Sequence, residues 1–210
     1  MESKKIAAEK AVAYVKDGMT IGLGTGSTAF WAIQLISQRI QQGLQIKAIP
    51  TSLETERLAR ELDIPISTFS HVAQIDLTID GADEIDKYRN LIKGGGGALL
   101  REKIVASNSN QFIVIADETK LVGHLGKFPL PVEVLPFGVE LTQKQILKLC
   151  NRAQVRKVNE QNYITDNGNF IIDCLFDLIE YPDALDLQLK GIAGVLETGI
   201  FLNHKIDTVL

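Results

Sequence analysis

Residues 20–42 read TIGLGTGSTAFWAIQLISQRIQQ: a short β-branched run, a glycine-rich turn, then apolar residues at helical spacing. A strand that turns on glycines straight into a helix is the opening half of a βαβ unit. The alternation continues outward from it. IKAIP (46–50), DLTID (76–80) and QFIVIAD (111–117) read as strands, while LETERLAREL (53–62) and ALLREKIVAS (98–107) read as helices. Repeated alternation of this kind predicts an α/β architecture with a mainly parallel sheet covered by helices. Thr51 with Glu54 predicts a capping box for the helix that follows, and Gly43 stands where a left-handed residue would close the preceding one.

Beyond Lys127 the pattern changes. FPLPVEVLPFG (128–138) carries three prolines, Thr142 with Gln145 predicts a helix start, and YITDNGNFIIDC (163–174) predicts two strands joined at an Asn167-Gly168 turn. A helix from about Ala184 and a strand in GVLETGIFL (194–202) complete the order strand, helix, hairpin, helix, strand, which is that of a small α+β domain. The expected division is therefore 1–126 with 203–210 in a larger domain and 127–202 in a smaller one. The closing IDTVL (206–210) is β-branched and suited to rejoin the first sheet.

Composition narrows the function. The 210 residues are 45% hydrophobic and 23% charged, the balance of a folded globular protein. A net charge of -4, a pI near 5.4 and no basic run longer than Lys4-Lys5 leave no electrostatic footprint for nucleic acid. No apolar run approaches membrane length and the Lys- and Glu-dotted start lacks a signal peptide's apolar stretch, so no membrane partner and a cytoplasmic location are expected. Cys150 and Cys174 lie far apart in apolar segments and read as two buried free thiols. His71, His124 and His204 are isolated from one another, and no metal site is expected.

Four segments carry chemistry. In GLGTGSTAF (22–30), glycines bare consecutive N–H groups, and Ser27 and Thr28 add hydroxyls at the positive end of a helix, which suits phosphate. A plain capped turn explains the same residues about equally well. The segment matches neither the dinucleotide fingerprint nor the nucleoside-triphosphate loop. In DGADEID (80–86), Asp80 and Asp83 follow a strand's C-terminal end, where carboxylates can hold sugar hydroxyls; an acidic turn and a divalent-ion site are the competing readings. In KGGGGALLREK (93–103), four consecutive glycines after Lys93 point to backbone approaching a ligand, with Glu102 in the first turns of the next helix. Taken alone, Glu102 between Arg101 and Lys103 would read as an exposed helical acid. In ADETK (116–120), Lys120 again follows a strand.

TGST, DGADE, the Lys-Gly-Gly-Gly run with Arg-Glu-Lys after it, GKFPLPVEV and TDNGN, in this order, resemble the type A ribose 5-phosphate isomerase family over nearly the whole chain. The resemblance implies a Rossmann-like larger domain, a ferredoxin-like smaller one, no metal or cofactor, and usually a homodimer, with tetrameric forms also in the family. It implies a substrate site of Thr25, Gly26, Ser27, Thr28, Asp80, Gly81, Ala82, Asp83, Lys93, Gly94, Gly95, Gly96 and Lys120. Glu102 matches the family's proton acceptor, and Asp80, Asp83 and Lys93 are its expected catalytic companions. Gly97 departs from the family, which commonly has Ala there. The chemistry fits the residue types: moving a proton from C2 to C1 of an open-chain sugar needs a carboxylate ionised near its ordinary pKa of about 4.3, and charge on the enediolate needs a cation and N–H donors. A sugar-phosphate sensor, a coenzyme A transferase and an aminosugar-phosphate deaminase are the rival readings. The first would need a DNA-binding module, the second acyl-CoA, and the third would release ammonia.

Overall fold

The computed structural model describes residues 2–203 and the backbone of Thr208 and Val209; His204 lies outside the described residues. In chain order the elements are α1 (Glu2–Val12), β1 (Thr20–Leu23), α2 (Ser27–Gln41), β2 (Lys47–Pro50), α3 (Leu53–Glu61), β3 (Ile75–Asp80), β4 (Glu84–Ile85), β5 (Leu91–Ile92), α4 (Leu99–Ser107) and β6 (Ser109–Val114). There follow β7 (Leu130–Val134), α5 (Val139–Ile146), β8 (Arg152–Val155), β9 (Lys157–Val158), β10 (Gln161–Asn162), β11 (Phe170–Leu175), α6 (Pro182–Lys190), β12 (Val195–Thr198), β13 (Ile200–Phe201) and β14 (Thr208–Val209).

Two compact units share these elements. The first comprises Met1–Ala82, Arg101–Thr119 and His204–Leu210; the second comprises Asp83–Leu100 and Lys120–Asn203. This partition differs from the expected boundary at 127. The segment Asp83–Leu100 belongs to the second unit because β4 and β5 pair with β13 there.

In the first unit the sheet runs β2-β1-β3-β6-β14 and every pairing is parallel. The central strands β1 and β3 are buried on both faces, as parallel strands with helical cover must be: Ile21, Leu23, Leu77 and Ile79 are all within 1% of full burial. They pack with Ile33 and Ile36 of α2 and with Ala8 and Val12 of α1 in one core. Arg39 ties the two helices by donating to the carbonyls of Val12 and Val15, at 2.7 and 2.9 Å, where α1 has run out of its own donors. The order reverses between β1 and β3, and a crevice for ligand opens beyond the strand ends at such a switch point. Of the closing IDTVL, Thr208 and Val209 rejoin this sheet, beside Ile113 and Val114, and residues 206, 207 and 210 lie outside the described residues.

Gly43 closes α2 as expected, with φ of 106° and the Leu44 N–H returning to the Arg39 carbonyl at 3.0 Å. The cap of α3 lies one residue later than expected. Ser52, not Thr51, accepts from the Thr55 N–H at 3.0 Å, because the Thr51 hydroxyl is turned inward to the Leu23 carbonyl at 2.9 Å. Ser52→Ala should lower stability by about 1 kcal/mol in urea unfolding, the usual worth of such a cap.

In the second unit β7, α5, β8, β11, α6 and β12 form a βαββαβ unit whose antiparallel sheet runs β12-β7-β11-β8. That is the ferredoxin-like order implied by the resemblance. Three details differ from expectation. The helix expected to open at Thr142 starts a turn earlier, at Val139 behind Gly138, and Thr142 is buried within it. The strand expected in GVLETGIFL divides at Gly199, whose N–H donates to Pro131 and whose carbonyl accepts from Lys93, so that Val195–Thr198 and Ile200–Phe201 join different sheets. The hairpin partner of β11 is β8, not the Tyr163 stretch.

That last difference has a local cause. The Asn167-Gly168 turn is present, with Gly168 at φ 78°. The residues flanking it point at a carboxylate rather than along a ladder. One oxygen of Glu133, a fully buried residue of β7, accepts from Thr165 Oγ1, Asn167 Nδ2 and Asn169 Nδ2 at 3.0, 3.1 and 2.9 Å. The cysteines are also closer than their sequence spacing suggested. Only Cys174 is buried, with its thiol on the Ile172 carbonyl; the neighbouring thiols interact so that the pKa of the partly exposed Cys150 is lowered and that of Cys174 raised, burial adding to the latter.

Candidate active site

The glycine turn after β1 and the end of β3 meet in the first unit. Gly24 lies so close to β3 that a Cβ there would sit 2.2 Å from Asp80 Oδ1, so no other residue fits without moving Asp80. Asp80 is 1% exposed, and its Oδ1 accepts from the Thr25 and Gly81 N–H groups at 3.1 and 2.7 Å. Two such charge-assisted bonds hold a carboxylate in one orientation at a strand end. The Thr25 hydroxyl is turned away into a knot with Thr51, Ser52 and Thr55 at 2.7, 2.9 and 3.2 Å. Thr25 therefore offers this site its backbone rather than its side chain.

Gly26 is the N-cap of α2, at φ 100°, with Ser27 and Thr28 in the first turn. The free N–H groups of a 15-residue helix converge there, and they attract anions. Lys4 of α1 reaches the same place: its Nζ donates to Ser27 Oγ at 2.9 Å and lies 3.9 Å from Asp117. Gly81 comes within 3.9 Å of Thr28 measured from the position of an added Cβ, and it and Ala82 are half-buried.

Glu102 stands in the first turn of α4 and is only 4% exposed, while Arg101 and Lys103 on either side are half-buried. An exposed helical acid is thereby excluded. Burying a carboxylate carries a desolvation cost that a purely solvated role would not require.

In the second unit Asp83 Oδ2 accepts from the Gly95 N–H at 2.7 Å, and the Asp83 N–H donates to Ile92 at 2.8 Å. Lys93, 2% exposed, follows β5 with its ammonium 5.6 Å from the Phe201 ring centre. Gly94 is buried, Gly96 exposed, and the Gly97 N–H closes a turn on the Gly94 carbonyl at 2.9 Å. Lys120 ends a single 3-10 turn and is half-buried. The other acids of DGADEID are occupied within the second unit. Glu84 accepts from the Gly126 and Phe128 N–H groups, and Asp86 from Tyr88 and Asn90. Among the described residues no three His, Cys, Asp or Glu side chains gather as a metal site would require.

The model of the family described as ribose 5-phosphate isomerase A (phosphoriboisomerase A) matches residues 47–210. The chain belongs to the ribose 5-phosphate isomerase A family. The protein of that name from Bacillus mycoides is 53% identical over 100% of this chain and 96% of its own length, and the one from Listeria innocua is 46% identical over 100% and 94%. Among solved structures, ribose 5-phosphate isomerase from Plasmodium falciparum superposes with a TM-score of 0.95 at 44% identity, covering all of this chain and 93% of that one. A D-ribose-5-phosphate isomerase in complex with phospho-erythronic acid superposes at 0.94, with 44% identity over 99% and 93%.

Gly97, which the resemblance marks as a departure, is held against a neighbour. Its φ is 85°, and an added Cβ would lie 2.2 Å from the Tyr163 hydroxyl, so Tyr163 fills the space an alanine methyl would take. The meeting of Lys4 with Ser27 and Asp117 at the start of α2 was not expected from sequence. Lys4 lies 23 residues from Ser27 and only the docking of α1 on α2 brings them together, so no local spacing could have revealed it.

Proposed function

We propose that the chain interconverts ribose 5-phosphate and ribulose 5-phosphate through an enediolate, as a step of the non-oxidative pentose phosphate pathway, with Glu102 as general acid and base. The observation that carries this reading is the burial of Glu102, a carboxylate placed out of water immediately after a lysine and a glycine run. Glu102 takes the proton from C2 of the open-chain aldose and returns it to C1. Lys93 and the N–H groups of Gly94 and Gly96 stabilise the oxygen on which charge develops, the Gly95 N–H being spent on Asp83. Asp80 and Asp83, each oriented by backbone N–H groups, hold sugar hydroxyls and assist ring opening.

The phosphate belongs at the start of α2, on the Ser27 and Thr28 N–H groups and hydroxyls, with Lys4 and Lys120 supplying charge. Binding energy spent there positions the reacting carbons. The phospho-erythronic acid bound by the structural relative supports the enediolate reading, since its carboxylate carries two oxygens on one carbon terminus as an enediolate carries two on adjacent carbons. The reading assigns no metal and no cofactor, and it takes the protein as a cytoplasmic homodimer, which sedimentation can check.

Ketose formation from ribose 5-phosphate in chelator-treated buffer tests the proposal. Steady turnover is expected. Tight binding of the sugar phosphate without turnover would sink the enzyme reading and leave a sensor.

A further inference from the structure

The glycine run has a fixed orientation, and the residue that fixes it lies outside every motif considered so far. Arg156, in the bend between β8 and β9, donates from one nitrogen, Nη1, to the carbonyls of Gly94 and Gly95 at 3.1 and 3.0 Å. Its other two nitrogens are held by Asp173 of β11, Nε to Oδ2 at 2.9 Å and Nη2 to Oδ1 at 2.6 Å. The guanidinium thus uses a bidentate carboxylate to aim a third nitrogen, a geometry that lysine cannot reproduce. Tyr163 completes the clamp: its ring lies 5.8 Å from the guanidinium carbon, its N–H donates to the Arg156 carbonyl at 2.9 Å, and its hydroxyl donates to Gly96 O at 3.3 Å.

Peptide planarity turns this into a statement about donors. In a trans peptide the carbonyl and the following N–H point in opposite directions. Pulling the Gly94 and Gly95 carbonyls toward Arg156 therefore drives the Gly95 and Gly96 N–H groups away from it. The Gly95 N–H is found where this requires, on Asp83 Oδ2 at 2.7 Å, and the next N–H belongs to the exposed Gly96. The Arg156 and Asp173 side chains are 14% and 28% exposed, so the ion pair is only partly screened.

We propose that Arg156, clamped by Asp173, is a positioning residue: it aims the Gly95 and Gly96 N–H groups, and through Gly95 it orients Asp83. The catalytic part of this inference rests on the isomerase reading; the orientation of the loop does not. Arg156→Ala should lower kcat for ribose 5-phosphate by about 10- to 100-fold with KM within about threefold, since a misplacement near 1 Å costs that much. Arg156→Lys, which keeps charge beside Asp173, should fall between. Arg156 and Asp173 line a groove of about 680 Å³, so a free guanidinium ion can reach the vacated place. Guanidinium at about 20 mM should restore at least fivefold of the lost kcat, and methylammonium should not.

Amide exchange over Lys93–Ala98 reads the loop whatever the reaction. Exchange at least tenfold faster in Arg156→Ala, slowed again by guanidinium and with β1 and β3 unchanged, is the expected result. Unchanged loop exchange, or a loss of kcat that guanidinium leaves unrestored, would overturn the inference. If the unmodified chain turns over no ribose 5-phosphate, the isomerase reading fails, and loop exchange still decides the clamp.

Discussion

Glu102→Gln should lower kcat for ribose 5-phosphate by at least about 10²-fold, the lower end of what general acid-base action supplies, with KM within about threefold. The two side chains have nearly the same shape, so a residue only 4% exposed is replaced without opening a cavity. What is lost is the basic oxygen. Gln can hold the same place but cannot accept a proton from C2, so only an interaction made on the way to the transition state is removed. Steady-state kinetics and titration with phospho-erythronic acid check this together. Transfer of deuterium from solvent into recovered substrate gives an independent reading, since an enzyme without its base should also stop exchanging the C2 hydrogen. Retained exchange with lost turnover would move the proton transfer to another group.

Much of this was written in local sequence. The strands and helices of the first unit follow from short apolar runs and their periods, whereas the order β2-β1-β3-β6-β14, and with it the switch point, is set by packing that no local run announces. Glycine at 24 marks a close approach of two strands that any larger residue would block. Long-range partners were not legible. Glu133 draws Thr165, Asn167 and Asn169 out of strand pairing across more than thirty residues of chain, and nothing near residue 165 announces a buried acceptor there. The same holds for Lys4 at Ser27, and for Arg156 at the glycine carbonyls 61 and 62 residues away. Ser52 displaced Thr51 as a cap because a threonine that can reach the carbonyl of a neighbouring strand is worth more inside than at a helix start. Motifs on contiguous residues name the groups that touch substrate, and the groups that aim them come from elsewhere in the chain.

Lys93→Met separates charge from packing. Lys93 is 2% exposed, so methionine preserves the apolar stem and most of the volume while removing the ammonium. Taking away one buried charge leaves whatever it faces uncompensated, so the thermal midpoint should fall, and it reads that loss separately from activity. Activity should behave differently. If Lys93 faces an oxygen only while that oxygen carries enediolate charge, kcat/KM should fall by about 10²- to 10³-fold, as for loss of one donor from an oxyanion site. Affinity for phospho-erythronic acid, whose carboxylate already carries that charge, should fall with kcat/KM, while affinity for neutral-headed ribose 5-phosphate should change far less. Equal weakening of both ligands would make Lys93 a ground-state binding residue. Loss of stability without this divergence would make it a structural cation held beside Phe201.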